Sequence, residues 1–429
     1  MKVMWVYAIV ACMKTRFSLI LLSFCLAVLL LLAGCTTKLE VNNPMQADIT
    51  YLYEKLPRLH VDFYHATSKA DFSKAYHKAM ENAESASDLD FYFSLRELVG
   101  YAQDSHTAVG LTEGFVAQLS AIPAQFSYVQ GAWRLGVVER SHAHLLGSEI
   151  IAINDVPIEE VQRRASPLFS HDNEVWLRYY LSQQFNLTNL YTYIGIADSP
   201  SLSVNLTLKQ RSTDQIHTIT LTPVSAKEYG MLSFATWYQA HPETGASNAP
   251  YRALLLEENN TLFVQYNVCM SYEEYPLQSF IDEIVSLVTS KSFGRVIVDL
   301  RYNSGGDSRL FEPMVDGLAA LQTEQGFALD VLIGEGTFSS ALMNAMHFRQ
   351  RTQARLVGTP TGGSLNHYGE TAHFTLPNSD IAVSYSTKHF VMDRNYKGTS
   401  LVPDVVIEQT VEDILLGKDT VVETLLHSY

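Results

Sequence analysis

Cysteine is scarce in this sequence. The 429 residues hold four, and three of them, Cys12, Cys25 and Cys35, lie within the first 35 positions. Cys269 is left alone in the remainder, so a chain that loses this leader has no intramolecular disulfide. It sits in FVQYNVCM, an apolar strand-like stretch, and reads as a small buried residue rather than a nucleophile. Basic clusters are missing as well. Thirty Lys and Arg stand against 45 Asp and Glu, a net charge of −15, and removing Lys2, Lys14 and Arg16 with the leader takes it to −18. No stripe of cations could neutralise phosphates, which excludes a nucleic-acid partner and charge-driven adhesion to anionic lipid. The 14 His are scattered; His142 and His144 in SHAH, and the pair His171–Asp172, lack acidic or Cys partners at ligand spacing. They read as exposed loop histidines, so no metal is expected. There is no GxGxxG, and the NSGGD segment lacks the Lys and spacing of a phosphate loop, so no cofactor is expected. Repeats and low-complexity runs are absent too.

What is present begins with a targeting signal. Lys14 and Arg16 precede an apolar run from Phe17 to Leu32 that ends in LLAGC, and Met13 is a plausible start of the translated chain. The run is short and wrongly flanked for a membrane span, and it reads as a cleaved export signal. Small residues before a Cys resemble the bacterial lipobox. Residues 1–35 are therefore expected to be a lipoprotein signal with Cys35 the acylated new N-terminus, anchoring an exported protein in the cell envelope. An uncleaved anchor with an incidental Cys is the alternative.

Beyond it, 36–50 is polar and aperiodic, as a tether would be. Residues 51–119 carry helical spacing in TYLYEKLPRLH, DFSKAYHKAMENAES and DLDFYFSLRELVGYAQDSH, with SASD supplying caps, and read as a helical domain. Residues 120–225 alternate like strands. QFSYVQGAWRLGVVE is a strand pair turning at Gly131, and LLGSEIIAINDVPIEEV resembles the core of a PDZ domain, a peptide-capturing module. Trp176 to Ser199 reads as an insertion, and SLSVNLTLKQ with IHTITLTPV as a closing hairpin. Within 226–429, strands and helices alternate from Leu262 onward, which argues for a parallel-rich α/β layer with its site at the strand C-termini.

Three loops there are unusual. DLRYNSGGDS has paired glycines, Gly305 and Gly306, that let backbone N–H groups approach a ligand closely. GEGTFSSALMNA puts Ser339 and Ser340 at a helix start, where a hydroxyl suits acyl transfer; taken alone, the pattern reads first as Thr337, Ser339 or Ser340 capping the helix. GTPTGGSLNHYGE takes its meaning from the other two.

DLRxNxGG, then TxSxA, then VGxPTGG, then GTSLVPDVVIE, in that order from about Leu262 to Glu408, resembles the tail-specific (C-terminal-processing) serine proteases. It also resembles their tricorn-core and retinoid-binding-protein relatives. The resemblance implies a mixed α/β (α+β mosaic) fold: a crotonase-like catalytic core, an N-terminal helical domain and an inserted PDZ-like β domain. It implies Ser339 as nucleophile, and Gly305 or Gly306 with the Ser340 N–H as oxyanion hole. The Lys that the better-known branch uses as base is missing, and Ser364 stands in its place. The tricorn branch uses a Ser–His pair ahead of the PDZ-like domain, which Ser105–His106 matches, with an acidic residue orienting the His through a Ser; Glu370 is the candidate. Lys388 and His367 are other possible bases, and having no base remains open. Two functions follow from the resemblance: a peptidase acting on polypeptides, possibly at C-terminal segments, or an inactive binder of peptides or apolar ligands.

Overall fold

Helix starts in the N-terminal third follow from local chemistry. The computed structural model describes residues 41–237 and 242–427. Helices Pro44–Leu59, Lys69–Asn82 and Asp88–Gly100 are capped by Asn43, Ser68 and Ser87, whose side chains accept first-turn N–H groups. Ser87 and Asp90 complete a capping box. The first helix begins inside the stretch expected to be a tether. Its opening turn looks aperiodic because the buried residues there are polar: Gln46 donates to the Met80 carbonyl, and Asp48 accepts from the Asn378 and Ser379 N–H groups. Residues 36–40, and the signal segment with Cys35, lie outside the described residues.

Next comes an antiparallel sheet in the order Phe234–Thr236, Ala132–Glu139, Glu149–Ile153, Val204–Lys209, Ile216–Leu221. Ala124–Val129 pairs with Ala132–Glu139 across Gln130 and Gly131, both at positive φ, as a tight hairpin turn requires. This sheet runs past the boundary expected at 225, because Phe234–Thr236 pairs with Val137–Glu139. Helices Glu174–Ser182 and Thr188–Tyr193 fill the stretch read as an insertion.

The third layer is a six-stranded sheet ordered Tyr251–Leu256, Thr261–Tyr266, Arg295–Asp299, Ala328–Ile333, Arg355–Gly358, Val405–Val406. Its first pair is antiparallel and the rest are parallel. Both faces are covered, so the strands are continuous apolar runs. Leu262, Val264, Val296 and Val298 pack beneath Leu277–Ser290, Glu312–Gln325 and Ser340–Arg351, while Phe263, Ile297, Leu332 and Val357 meet Val421, Val422 and Leu425. A mixed α/β architecture was expected, and the molecule has one.

One long-range clip matters for the site. The hairpin Asn366–Thr375 with Ala382–Val391 pairs antiparallel with Ala108–Val109. Ser384 Oγ donates to the His106 carbonyl at 3.1 Å and accepts from the Ala108 N–H at 3.1 Å. The end of the helical region is thereby fastened to the C-terminal half.

Candidate active site

Ser339 precedes the helix Ser340–Arg351 with φ 50° and ψ −122°, and its hydroxyl makes no capping bond. The cap explanation therefore does not describe this residue. A non-glycine side chain in this region is strained, and such strain concentrates at working sites. The neighbouring hydroxyls are engaged elsewhere. Thr337 Oγ1 donates to the Leu300 carbonyl at 2.8 Å, and Ser340 Oγ donates to the Gly306 carbonyl at 2.6 Å. Ser339 Oγ instead lies 3.0 Å from His106 Nε2, although 233 positions separate the two in sequence.

The imidazole is held from several sides. Phe338 stacks on it at 4.6 Å between centroids and in turn stacks on Trp176 at 3.9 Å; His367 is parallel to it at 5.6 Å. Its Nδ1 is buried and lies 3.8 Å from Asp104 Oδ1, beyond hydrogen-bonding distance but within direct Coulombic reach.

Asp104 is completely buried and accepts from the His106 N–H, the Thr107 and Ser386 hydroxyls, and His60 Nε2 at 3.1 Å. His60 Nδ1 accepts from the Asp62 N–H, which leaves its proton on Nε2, facing Asp104. Burial alone pushes the Asp104 carboxyl up. The His106 ring, the His60 N–H and the Ser386 hydroxyl outweigh it and hold the group far below the usual carboxylate range. A second carboxylate is close by. Asp172 exchanges bonds with Ser105, accepting from its N–H and donating its own N–H to Ser105 Oγ. Burial and the Asp104 charge push Asp172 up to about 6.

The glycine loop lies directly against the serine. Gly305 and Gly306 have φ of 113° and 134°. A methyl on Gly305 would stand 2.8 Å from Ser339 Cβ, and one on Gly306 would strike the Cys269 carbonyl oxygen at 2.2 Å. The Gly305 N–H is taken by Asn303 Oδ1 at 2.9 Å. Among the described residues, the Gly306 and Ser340 N–H groups donate to no acceptor. Of the two glycines, Gly306 is thus the one with a donor to offer. Arg301 steadies the loop between Asp299 and Asp419, at 2.9 and 2.8 Å.

Several expected residues are elsewhere. Glu370 is exposed and touches neither Ser105 nor His106; its strand position turns it outward, and Asp104 and Asp172 occupy the place assigned to it. Lys388 is exposed, its ammonium over the Phe390 ring at 4.6 Å. Ser364 is buried and accepts from Asn173. His367 donates from Nδ1 to the Ser364 carbonyl, and burial with the nearby His106 lowers it to about 4. Cys269 is fully buried, and burial raises its thiol to about 12, so it is an inert packing residue. No group of three or more metal-ligating side chains occurs among the described residues.

No family model matches the sequence, and no curated protein matches it. Solved structures do. Mature CPAF complexed with lactacystin superposes with a TM-score of 0.59 at 13% identity, over 89% of this chain and 96% of that one. Uncomplexed mature CPAF gives 0.58 at 14% identity, over 89% and 95%. The photosystem II D1 C-terminal processing protease gives 0.41 at 13% identity, over 89% and 99%. Identities this low speak to architecture alone, and the two CPAF structures show that this chain shares their fold.

Proposed function

We propose that this protein is a serine peptidase that cleaves polypeptides through an acyl-enzyme. The observation that carries the reading is the 3.0 Å approach of His106 Nε2 to Ser339 Oγ. In this mechanism Ser339 Oγ attacks the peptide carbonyl carbon while His106 Nε2 takes its proton. The oxyanion is met by the Gly306 and Ser340 N–H groups, donors already oriented and without competing partners. The imidazolium is stabilised by ionised Asp104, which faces its other nitrogen. His106 then gives the proton to the leaving amine, and a water deprotonated by the same nitrogen releases the acid and regenerates Ser339. His106, rather than Lys388 or His367, is the base in this account: Lys388 points to solvent, and His367 spends Nδ1 on a carbonyl.

The likeness to proteases of this fold supports a polypeptide substrate. The LLAGC leader supports export and acylation at Cys35, which would hold the enzyme at the cell-envelope membrane. A fluorophosphonate probe tests the chemistry. Wild type should be labelled on Ser339, Ser339→Ala should not be labelled, and His106→Ala should react at least about 10³-fold more slowly. Absence of labelling and of turnover in the folded wild type would make it a binding protein on the same fold.

A further inference from the structure

A cavity lies between the Asp88–Gly100 helix and residues 107–119 and 168–187. It encloses about 400 Å³, enough for a small organic ligand, and Phe93, Val99, Leu168 and Leu187 make its apolar walls. Leu111, 47% exposed, stands at its mouth. Among these walls is one full charge, the guanidinium of Arg96, itself only 9% exposed. Its Nε donates to the Leu168 carbonyl at 3.1 Å and its Nη1 to Gln184 Oε1 at 2.7 Å. Its Cζ lies 4.2 Å from the Phe169 ring centroid and 5.7 Å from that of Tyr92.

Every one of these partners is neutral. No carboxylate among the described residues lies within ion-pair distance of Arg96, in a chain with 45 acidic residues. Burying a guanidinium without an opposite charge is unfavourable by several kcal/mol even when its N–H groups are bonded. As a staple of the Asp88–Gly100 helix to the Leu168 and Gln184 segments, Arg96 gets from its charge only ring contacts and bonds to neutral acceptors, and no opposite charge. The charge does have a use where an anion arrives from outside: neutral partners orient the guanidinium, and the incoming group supplies the missing charge in a low-dielectric pocket.

We infer that this cavity binds a carboxylate carried on an apolar body, with the carboxylate on Arg96 and the body against Phe93, Val99, Leu168 and Leu187. A single, partly engaged guanidinium suits a monoanion better than a phosphate dianion, which draws several donors. The inference does not rest on the hydrolase reading, since binding here needs no turnover.

Titration calorimetry of the full chain tests it, with decanoate against decanol and decylamine, and a short aliphatic peptide with a free C-terminus against its amide. At least one of the two acids should bind, and its neutral counterpart at least about tenfold more weakly. Decanoate alone binding identifies a free aliphatic acid as the source, and the peptide acid alone identifies a chain end. Arg96→Gln should abolish the preference for the acid. Should Arg96→Gln not fold, Leu111→Glu at the exposed mouth decides: it should weaken the acid about tenfold and leave the neutral compound unchanged. Equal affinity for acid and neutral compound, no binding of either acid at millimolar concentration, or an unchanged acid preference in both variants overturns the inference.

Discussion

Asp104 and Glu370 are both acidic residues near a motif His or Ser in sequence, and they have opposite fates. Asp104 is buried and its carboxylate accepts from four residues, whereas Glu370 faces solvent. If Asp104 stabilises the imidazolium, Asp104→Asn should lower kcat/KM by about 10²–10⁴-fold while Glu370→Gln stays within about twofold. Steady-state hydrolysis of a peptide substrate measures both, and the reverse ranking would remove Asp104 from the mechanism. Asp172 makes a different claim. Its folded pKa of about 6 lies above the ordinary value of 3.8. The folded state therefore holds more protons than the unfolded one between those pH values, and ionised Asp172 opposes folding above them. Asp172→Asn keeps a carbonyl for the Ser105 N–H and removes the charge. It should be more stable than wild type at pH 8 by about 1–3 kcal/mol, with the gap closing as pH falls from 6 towards 4. His367 works in the other direction. Its folded pKa of about 4 lies below 6.5, so its contribution to stability is lost as pH falls between those values. Urea unfolding across pH 4–8 separates the two, because Asp172→Asn should show the acid loss of His367 uncompensated.

Among the elements, the glycine loop and the helix start form one unit, and its tolerance can be stated. Gly305→Ala puts a methyl 2.8 Å from Ser339 Cβ on a backbone with φ 113°. Gly326 also has positive φ, 75°, but nothing within 4 Å of where its Cβ would be. Gly326→Ala should thus cost only about 1 kcal/mol, from backbone conformation alone. Gly305→Ala should cost more, about 2–4 kcal/mol, and also lose probe labelling. Equal losses in denaturant unfolding would mean that the loop does not press on Ser339 as described. The elements themselves were legible, for physical reasons. RVIVDL and TLFVQY read as largely apolar strands because both faces of their sheet are covered, and Ser87 in SASD announces a helix start through local hydrogen bonds. The Pro44 helix start was hidden because Gln46 and Asp48 are buried polar residues satisfied by distant partners. The carboxylate beside the His106 ring was hidden for the same reason. Asp104 stands within the quoted DSH segment, yet its surroundings are completed by His60 and by Ser386, which lies 282 residues away. Motif order carried Ser339 and His106, but partners that assemble only through tertiary packing leave no local pattern.

For the whole molecule, the proposed leader and the described residues make separate predictions. The described residues from Asn42 onward form one compact unit, and no described helix is long and apolar enough to cross a membrane. The paired sheets, the three helices over the central sheet and the clip from Ala108–Val109 to the C-terminal hairpin all lie within it. The chain is at −15 with Lys2, Lys14 and Arg16 included, so it offers no net positive charge to an anionic surface. If acylation at Cys35 is the attachment, one diacylated terminus supplies the membrane affinity and the remainder contributes none through charge. A chain beginning at residue 36 with Cys35 absent should therefore be found in the soluble fraction without detergent. It should melt within about 2 °C of the full protein and react with a fluorophosphonate at the same rate. The full protein expressed in a lipoprotein-processing bacterial host should partition into detergent, and Cys35→Ser should abolish that partitioning. Sedimentation, differential scanning calorimetry and Triton X-114 partitioning read the three outcomes. Should the shortened chain stay with the membrane, or should Cys35→Ser still partition into detergent, the attachment lies elsewhere and the acylation proposal fails, with the Ser339–His106 chemistry untouched because probe labelling is measured separately.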